Sequence, residues 1–319
     1  MKQNRLSISY LILFSLATVL LVAWLAVARD PYAGKLATYL PFHMLAETVS
    51  IVIAIMIFGV MWNAYSSERP GGLVVLSCAM VAAGIIDFGH MLSVSDMPDF
   101  VTPSGPEKGI AFWLVARMVV ALGFAAAAWY GHAPLRAPRS RYLLLGAFLG
   151  ITALTYWLVL FYIDVLPHTF EAGKGLTAVK IDAEYLVIAV LIVAVIVLYR
   201  RARRTQTAMN VGLFEAASVA VLCEMYFAIY ASAHDLFQVL GHAYKIIAYL
   251  LLWRAVFVVT VRDPFTRLKE LSRSMVATLE SRVDERTAEL AAANLSLRES
   301  QETSRKLLKN AESARTALE

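Results

Sequence analysis

Apolar residues gather in eight long blocks along this chain, near residues 8–28, 42–64, 73–92, 110–130, 142–163, 184–199, 211–232 and 242–262, with short polar stretches between them. Blocks of about 20 apolar residues match the length that carries a helix across the hydrocarbon core of a bilayer. The pattern therefore predicts an all-α integral membrane bundle of eight transmembrane helices over 1–262. After Arg262 the character changes: Asp263-Pro264 is expected to break the last membrane helix, and 263–319 is charged, Ala-rich and free of Gly. There Val276, Leu279, Val283, Leu290, Ala293, Leu297, Leu307, Ala311, Ala314 and Leu318 fall on the a and d positions of one heptad frame. Arg286, Ser300 and Ser304 interrupt that frame, and Leu268, Leu271 and Met275 run one residue out of phase with it. The expectation is a cytoplasmic coiled-coil signalling helix that pairs two copies through 265–319, with a weak seam that slips near residue 275. Such a seam suits a helix that changes its packing, and equally describes a merely marginal coiled coil. No catalytic domain fits into 263–319, so an output domain is expected beyond it.

Composition agrees with the pattern, since 59% hydrophobic residues and a mean hydropathy of +0.63 lie far outside soluble usage. A net charge of +5 would suit nucleic acid, but its location argues otherwise. Arg136, Arg139 and Arg141 fill one loop, and Arg200, Arg201, Arg203 and Arg204 follow the sixth block. With Lys2 and Arg5 they read as orientation signals that set both termini in the cytoplasm, and no nucleic-acid partner is expected. The acidic segment 93–109, with Asp96, Asp99 and Glu107 against Lys108, then faces outward. So does 164–183, where Asp164, Glu171 and Asp182 stand beside Lys174 and Lys180. The first block resembles a signal peptide but has no small-residue cleavage pattern before Arg29, and is read as a retained helix. Cys78 and Cys223 fall inside apolar blocks and read as small buried hydrophobes.

Charge at the centre of a membrane helix costs roughly 2.5–3.5 kcal/mol on insertion scales, so ionisable residues inside the blocks are candidate site residues. His43 and Glu47 stand at i and i+4 on the second helix, and Asp87 and His90 at i and i+3 on the third, each pair on one face. Counted from the helix ends, all four fall in the outer part of the bilayer, where Arg117 joins them after Trp113, and His242 and Lys245 open the eighth helix. Glu224 lies deeper, below Tyr226, Tyr230 and His234. Four readings stay open. His43, Glu47, Asp87 and His90 can hold a transition metal ion such as zinc, iron or nickel. The same groups can be interhelical glue, with Glu47 neutralising Arg117 or Lys245. Haem is an alternative, with axial ligands drawn from His43, His90 and His242. Lastly, Trp113, Arg117, Glu224, His242 and Lys245 can line a site for a small ligand from the extracytoplasmic side. His132 and His168 read as solvated loop histidines.

The order His43-x-x-x-Glu47, then Asp87-Phe-Gly-His90-Met-Leu with Met97-Pro98, then Phe112-Trp113-Leu-Val-Ala-Arg117 resembles the third class of bacterial membrane-associated sensor (MASE) domains, over about 8–262. One departure stands out, because 93–97 reads Ser-Val-Ser-Asp-Met where the family often has Tyr-x-Gly-Met-Pro. The resemblance implies an inner-membrane input domain joined to a histidine kinase, a diguanylate cyclase or a related output. The run Arg282 to Leu290 is similar to linkers of sensor histidine kinases, which favours the kinase. The competing classes are a transporter and a metal-dependent intramembrane enzyme. A transporter would favour internal repeats and helices broken at mid-membrane, and neither stands out.

Overall fold

The computed structural model describes residues 5–29, 39–64, 70–95, 97–131, 133–137, 139–171, 173, 175–229 and 236–316. Lys2, Asp96, His132, Lys174, Tyr230, His234 and Leu318, and the side chains of Arg5 and Ala314, lie outside the described residues. Eight helices long and apolar enough to cross a membrane are present among them. They are α1 (Arg5–Arg29), α2 (Leu40–Asn63), α3 (Gly71–Met91), α4 (Pro106–Tyr130), α5 (Ser140–Phe161), α6 (Ala178–Thr205), α7 (Ala208–Ile229) and α8 (Leu236–Phe257). A two-stranded antiparallel ribbon, β1 (Phe170–Glu171) and β2 (Gly175–Leu176), lies in the loop before α6. Helices α2, α4, α6 and α8 begin at what is here called the upper end of the bundle, and the other four begin at the lower end.

Sequence patterning placed the blocks but misjudged several ends. The sixth helix was expected at 184–199, with Lys180 and the arginine cluster in loops, yet α6 runs from Ala178 to Thr205. Its N-terminus is fixed by Thr177, whose side chain accepts from the Lys180 amide. Lys180 then turns inward, its ammonium 2.7 Å from Glu184 and donating to the Phe227 carbonyl at 3.1 Å. At the lower end Arg201 donates to the carbonyls of Ala127 and Trp129 in the last turn of α4, where Trp129 lies among the carbonyls that a helix end leaves without an intrahelical donor. Helix α8 starts at Leu236, so His242 is nearly two turns inside it rather than at its mouth. Glu107 and Lys108 likewise belong to α4, where Lys108 donates to the carbonyls of Phe100 and Thr102 at 2.6 and 2.9 Å.

Packing follows the small residues. Helix α3 is buried along most of its length, closest to α4, and α7 packs most closely on α8. At Gly123 an added Cβ would stand 2.8 Å from the Ala79 Cβ, and at Gly241 it would meet the Phe227 ring at 2.5 Å. Only glycine allows these approaches, the membrane route to tight helix contact. Helix α2 lies against both α3 and α8, α6 joins α4 to α7, and α1 packs on α7. The outer faces of α1 and α5 leave Leu11, Phe14, Leu143 and Trp157 exposed, which suits a lipid environment. At the lower end Glu215 of α7 accepts from Ser9 of α1 at 2.5 Å and from Arg254 of α8 at 2.6 Å.

The chain divides into two units, Met1–Arg262 and Asp263–Glu319. Instead of a break at Asp263-Pro264, residues 258–262 form a π turn and helical backbone resumes at Asp263 as α9 (Asp263–Thr316). Proline lacks an N–H and its ring crowds the carbonyl four residues earlier, and a widened turn accommodates both. Within α9 Leu268, Leu279, Val283, Leu290, Leu297 and Leu307 are all exposed in the single chain.

Candidate ligand site

Intramembrane charge converges at the upper end. Arg117 of α4 reaches Asp87 of α3 through one terminal nitrogen, at 3.1 and 2.7 Å from its two oxygens, and that nitrogen also donates to the Tyr249 hydroxyl at 3.1 Å. Lys245 of α8 donates to both oxygens of Glu47 on α2, at 2.9 and 2.7 Å, and its ammonium lies 2.9 Å from Asp87. Two carboxylates and two cations from four helices thus neutralise one another where water is excluded, with exposures of 3% or less. Trp113 roofs the network: the Arg117 guanidinium lies 4.5 Å and the Lys245 ammonium 4.9 Å from its ring.

Three imidazoles sit directly beside this network. The Nε2 atoms of His43 and His90 are 3.2 Å apart, and His90 Nδ1 is 2.8 Å from the Gly109 carbonyl. A carbonyl only accepts, so the His90 proton sits on Nδ1. With both rings neutral, His90 Nε2 is then a bare acceptor and His43 Nε2–H donates to it. That leaves His43 Nδ1 a buried acceptor, and it has no hydrogen-bond partner among the described residues. His242 closes the group, its ring centroid 4.9 Å from that of His43 and its Nδ1 3.1 Å from Glu47 Oε1. This contact is short but poorly aligned for a hydrogen bond. Tyr39, Trp113 and Phe227 pack around the rings.

The residues singled out from sequence therefore divide. His43, Glu47 and His242 can offer ligand atoms that all lie within 4.8 Å of one another. His90 joins them through His43, whereas Asp87, expected as a fourth ligand, is taken by Arg117 and Lys245. Glu224 is buried but outside the ion pairs described, and its Oε2 has no hydrogen-bond donor among the described residues. His43 and His90 do not suit the two axial positions of one haem: axial nitrogens lie on opposite sides of a macrocycle, and these two touch with nothing between them. His168 is indeed an exposed loop residue, but it is paired with Glu107 at 2.7 Å. The reading from sequence missed Tyr249, the Lys180–Glu184 pair and Glu215 with Arg254. The same rule of charge inside an apolar block would have flagged Glu184, Glu215 and Arg254, but not Lys180, which precedes the sixth block.

The chain matches the membrane-associated sensor domain family, MASE3, over residues 35–264, and it belongs to that family. The match starts after α1, later than the 8–262 expected from the motifs, so the first helix lies outside it. No curated protein matches the chain. No solved structure matches it. The chain is thus a multi-pass membrane sensor domain, and its ionisable cluster lies within the span of the family.

Proposed function

We propose that this chain is the input part of a bacterial inner-membrane signalling protein, with the upper end facing the extracytoplasmic side and both termini in the cytoplasm. The orientation rests on the arginines at the lower ends of the helices, including Arg139, Arg141, Arg201 and Arg203. The observation that carries the mechanism is Lys245, one cation within 2.9 Å of carboxylates on two different helices. A ligand arriving from outside and favouring one of these partners shifts Lys245 toward the other. Because the two arrangements differ in charge contacts, such a ligand has the differential affinity that a population shift requires. Lys245 belongs to α8, the last membrane helix before 263–316, so the chain itself carries the change toward the cytoplasm. There the exposed stripe of α9 pairs with a second copy, and a marginal heptad seam is the element easily biased. The output is first a histidine kinase, on the linker at 282–290, and second a diguanylate cyclase.

A fusion of residues 1–319 to a histidine kinase core tests this reading. Lys245→Met should fix kinase output in one state whatever the extracellular medium. One residue inserted before Leu290 turns the following heptads by ~100° and should lock or abolish output, whereas a whole inserted heptad should preserve regulation. Equal behaviour of the two insertions would refute the coiled-coil relay. Reporters fused at Arg139 and Arg203 should read as cytoplasmic and those at Asp99 and Gly173 as extracytoplasmic, and the reverse result would overturn the orientation.

A further inference from the structure

We infer that the stimulus site is a metal site with three imidazoles, in which His43, His90, His242 and Glu47 hold one divalent transition ion that competes with Lys245 for Glu47. This inference names the ligand class for the sensor reading above and rests on that reading.

The donor set comes from three helices, α2, α3 and α8. His90 gives its Nδ1–H to the Gly109 carbonyl at 2.8 Å, the outer contact that fixes a metal-binding histidine and points its Nε2 lone pair at the ion. The facing nitrogen of His43 is 3.2 Å from that lone pair. Metal–nitrogen bonds of ~2.0–2.1 Å in a tetrahedron set ligand nitrogens ~3.3 Å apart, so the two rings stand at the spacing of one ligand edge. An ion between them replaces the shared hydrogen, and the His43 proton moves to Nδ1. His242 and Glu47 supply the remaining corners: one ligand atom each from His43, Glu47 and His242 lies within 4.8 Å of the others, and His90, outside that trio, is brought in through its contact with His43.

Independent of spacing, the site holds a buried nitrogen without an aligned hydrogen bond among the described residues. His242 Nδ1 lies 3.1 Å from Glu47 Oε1 out of hydrogen-bond alignment, and the residue is 2% exposed. Buried polar atoms are nearly always satisfied, and such exceptions mark places where a ligand completes the set. Three imidazoles and one carboxylate without a thiolate suit zinc, nickel or iron(II) rather than copper(I).

Lys245 makes occupancy a signal. Both Glu47 oxygens accept from its ammonium, so an ion that takes Glu47 places a second positive charge against Nζ at short range in a dry site. Asp87, 2.9 Å from the same nitrogen, is ready to keep Lys245 when Glu47 is withdrawn. His242 and Lys245 are one turn apart on α8, so the ion draws on one residue of this helix and repels the other.

The experiment uses the purified chain in lipid nanodiscs, stripped of metal and titrated with Zn2+ and with Co2+ as a spectroscopic stand-in. One ion per chain is expected, with tetrahedral Co2+ absorption. X-ray absorption on the Zn2+ form of the unaltered protein should count three imidazoles, a readout that needs no variant to fold. His242→Ala and His90→Ala should each weaken binding by 10-fold or more, and Lys245→Met should tighten it. Absence of stoichiometric binding, a count of two imidazoles or fewer, or Lys245→Met that weakens binding would overturn the inference. None of these measures kinase output, so the metal site can fail while the fusion experiments still support the sensor reading, and the reverse.

Discussion

At the upper end of the bundle Lys245 stands between Glu47 and Asp87, and Asp87 in turn holds both Lys245 and Arg117. At the lower end Glu215 gives one oxygen to Ser9 and the other to Arg254. Both are charges inside apolar helices, yet they differ in how partners are shared. Every contact of Glu215 goes to a separate donor, so the cluster has one arrangement and acts as a brace across α1, α7 and α8. The upper cluster has partners in common, so more than one pairing is within reach of the same groups. Shared partners suit the switch proposed above, and exclusive partners suit a strap.

The contrast predicts unequal sensitivity to loss of charge. Asp87→Asn leaves Arg117 and Lys245 with one carboxylate between them in a dry site, and should destabilise the membrane domain by about 3–5 kcal/mol, read as a drop in thermal unfolding in detergent. Tyr249→Phe removes one hydrogen bond to the Arg117 guanidinium and should cost about 1.5–3 kcal/mol by the same measurement. Glu215→Gln should cost about 1 kcal/mol or less, because the Arg254 side chain is 57% exposed and water takes over its solvation. If Asp87→Asn and Glu215→Gln proved equally costly, the distinction between the ends would collapse.

The smallest effect belongs to the loops. The hydrogen bond from His168 to the Glu107 carboxylate, and that carboxylate's charge, raise the imidazole above its ordinary pKa of ~6.5. A raised folded value means the protonated pair adds stability that is complete below the unfolded pKa and fades as pH rises through the folded one. Unfolding temperatures measured across that window should decline slightly in the parent protein and stay flatter in His168→Gln. An identical profile for the two would show that the pair is solvated away.

How much of this was legible in the sequence follows from what a sequence encodes. Length and hydropathy gave eight helices, because lipid leaves no other way to satisfy so much backbone. Same-face spacing set His43 with Glu47 and Asp87 with His90, because each pair lies on a single helix. It could not say which helix stands across from them, so Asp87 was grouped with the metal ligands and His242 with a separate small-ligand site. The placement of α8 against α2 brings His242 to Glu47 and gives Asp87 to Lys245. Lys180 and Glu184 escaped notice for a different reason. Charge near a block edge was taken to mark the end of the helix, whereas each of the two supplies the partner that lets the other be buried.

The glycine contacts give this geometry a mechanical reading. Gly123 seats α4 on α3, and Gly241 seats α8 on α7, each at a spacing that a larger residue would not allow. Each pair is a closely packed leaf. Asp87 and Arg117 belong to one leaf, and His242 and Lys245 to the other, with Glu47 on the spine between them. Lys245 is the latch that fastens the second leaf to the first and to the spine together. On the proposed function, releasing that latch would free the second leaf as a unit and pass the change along α8.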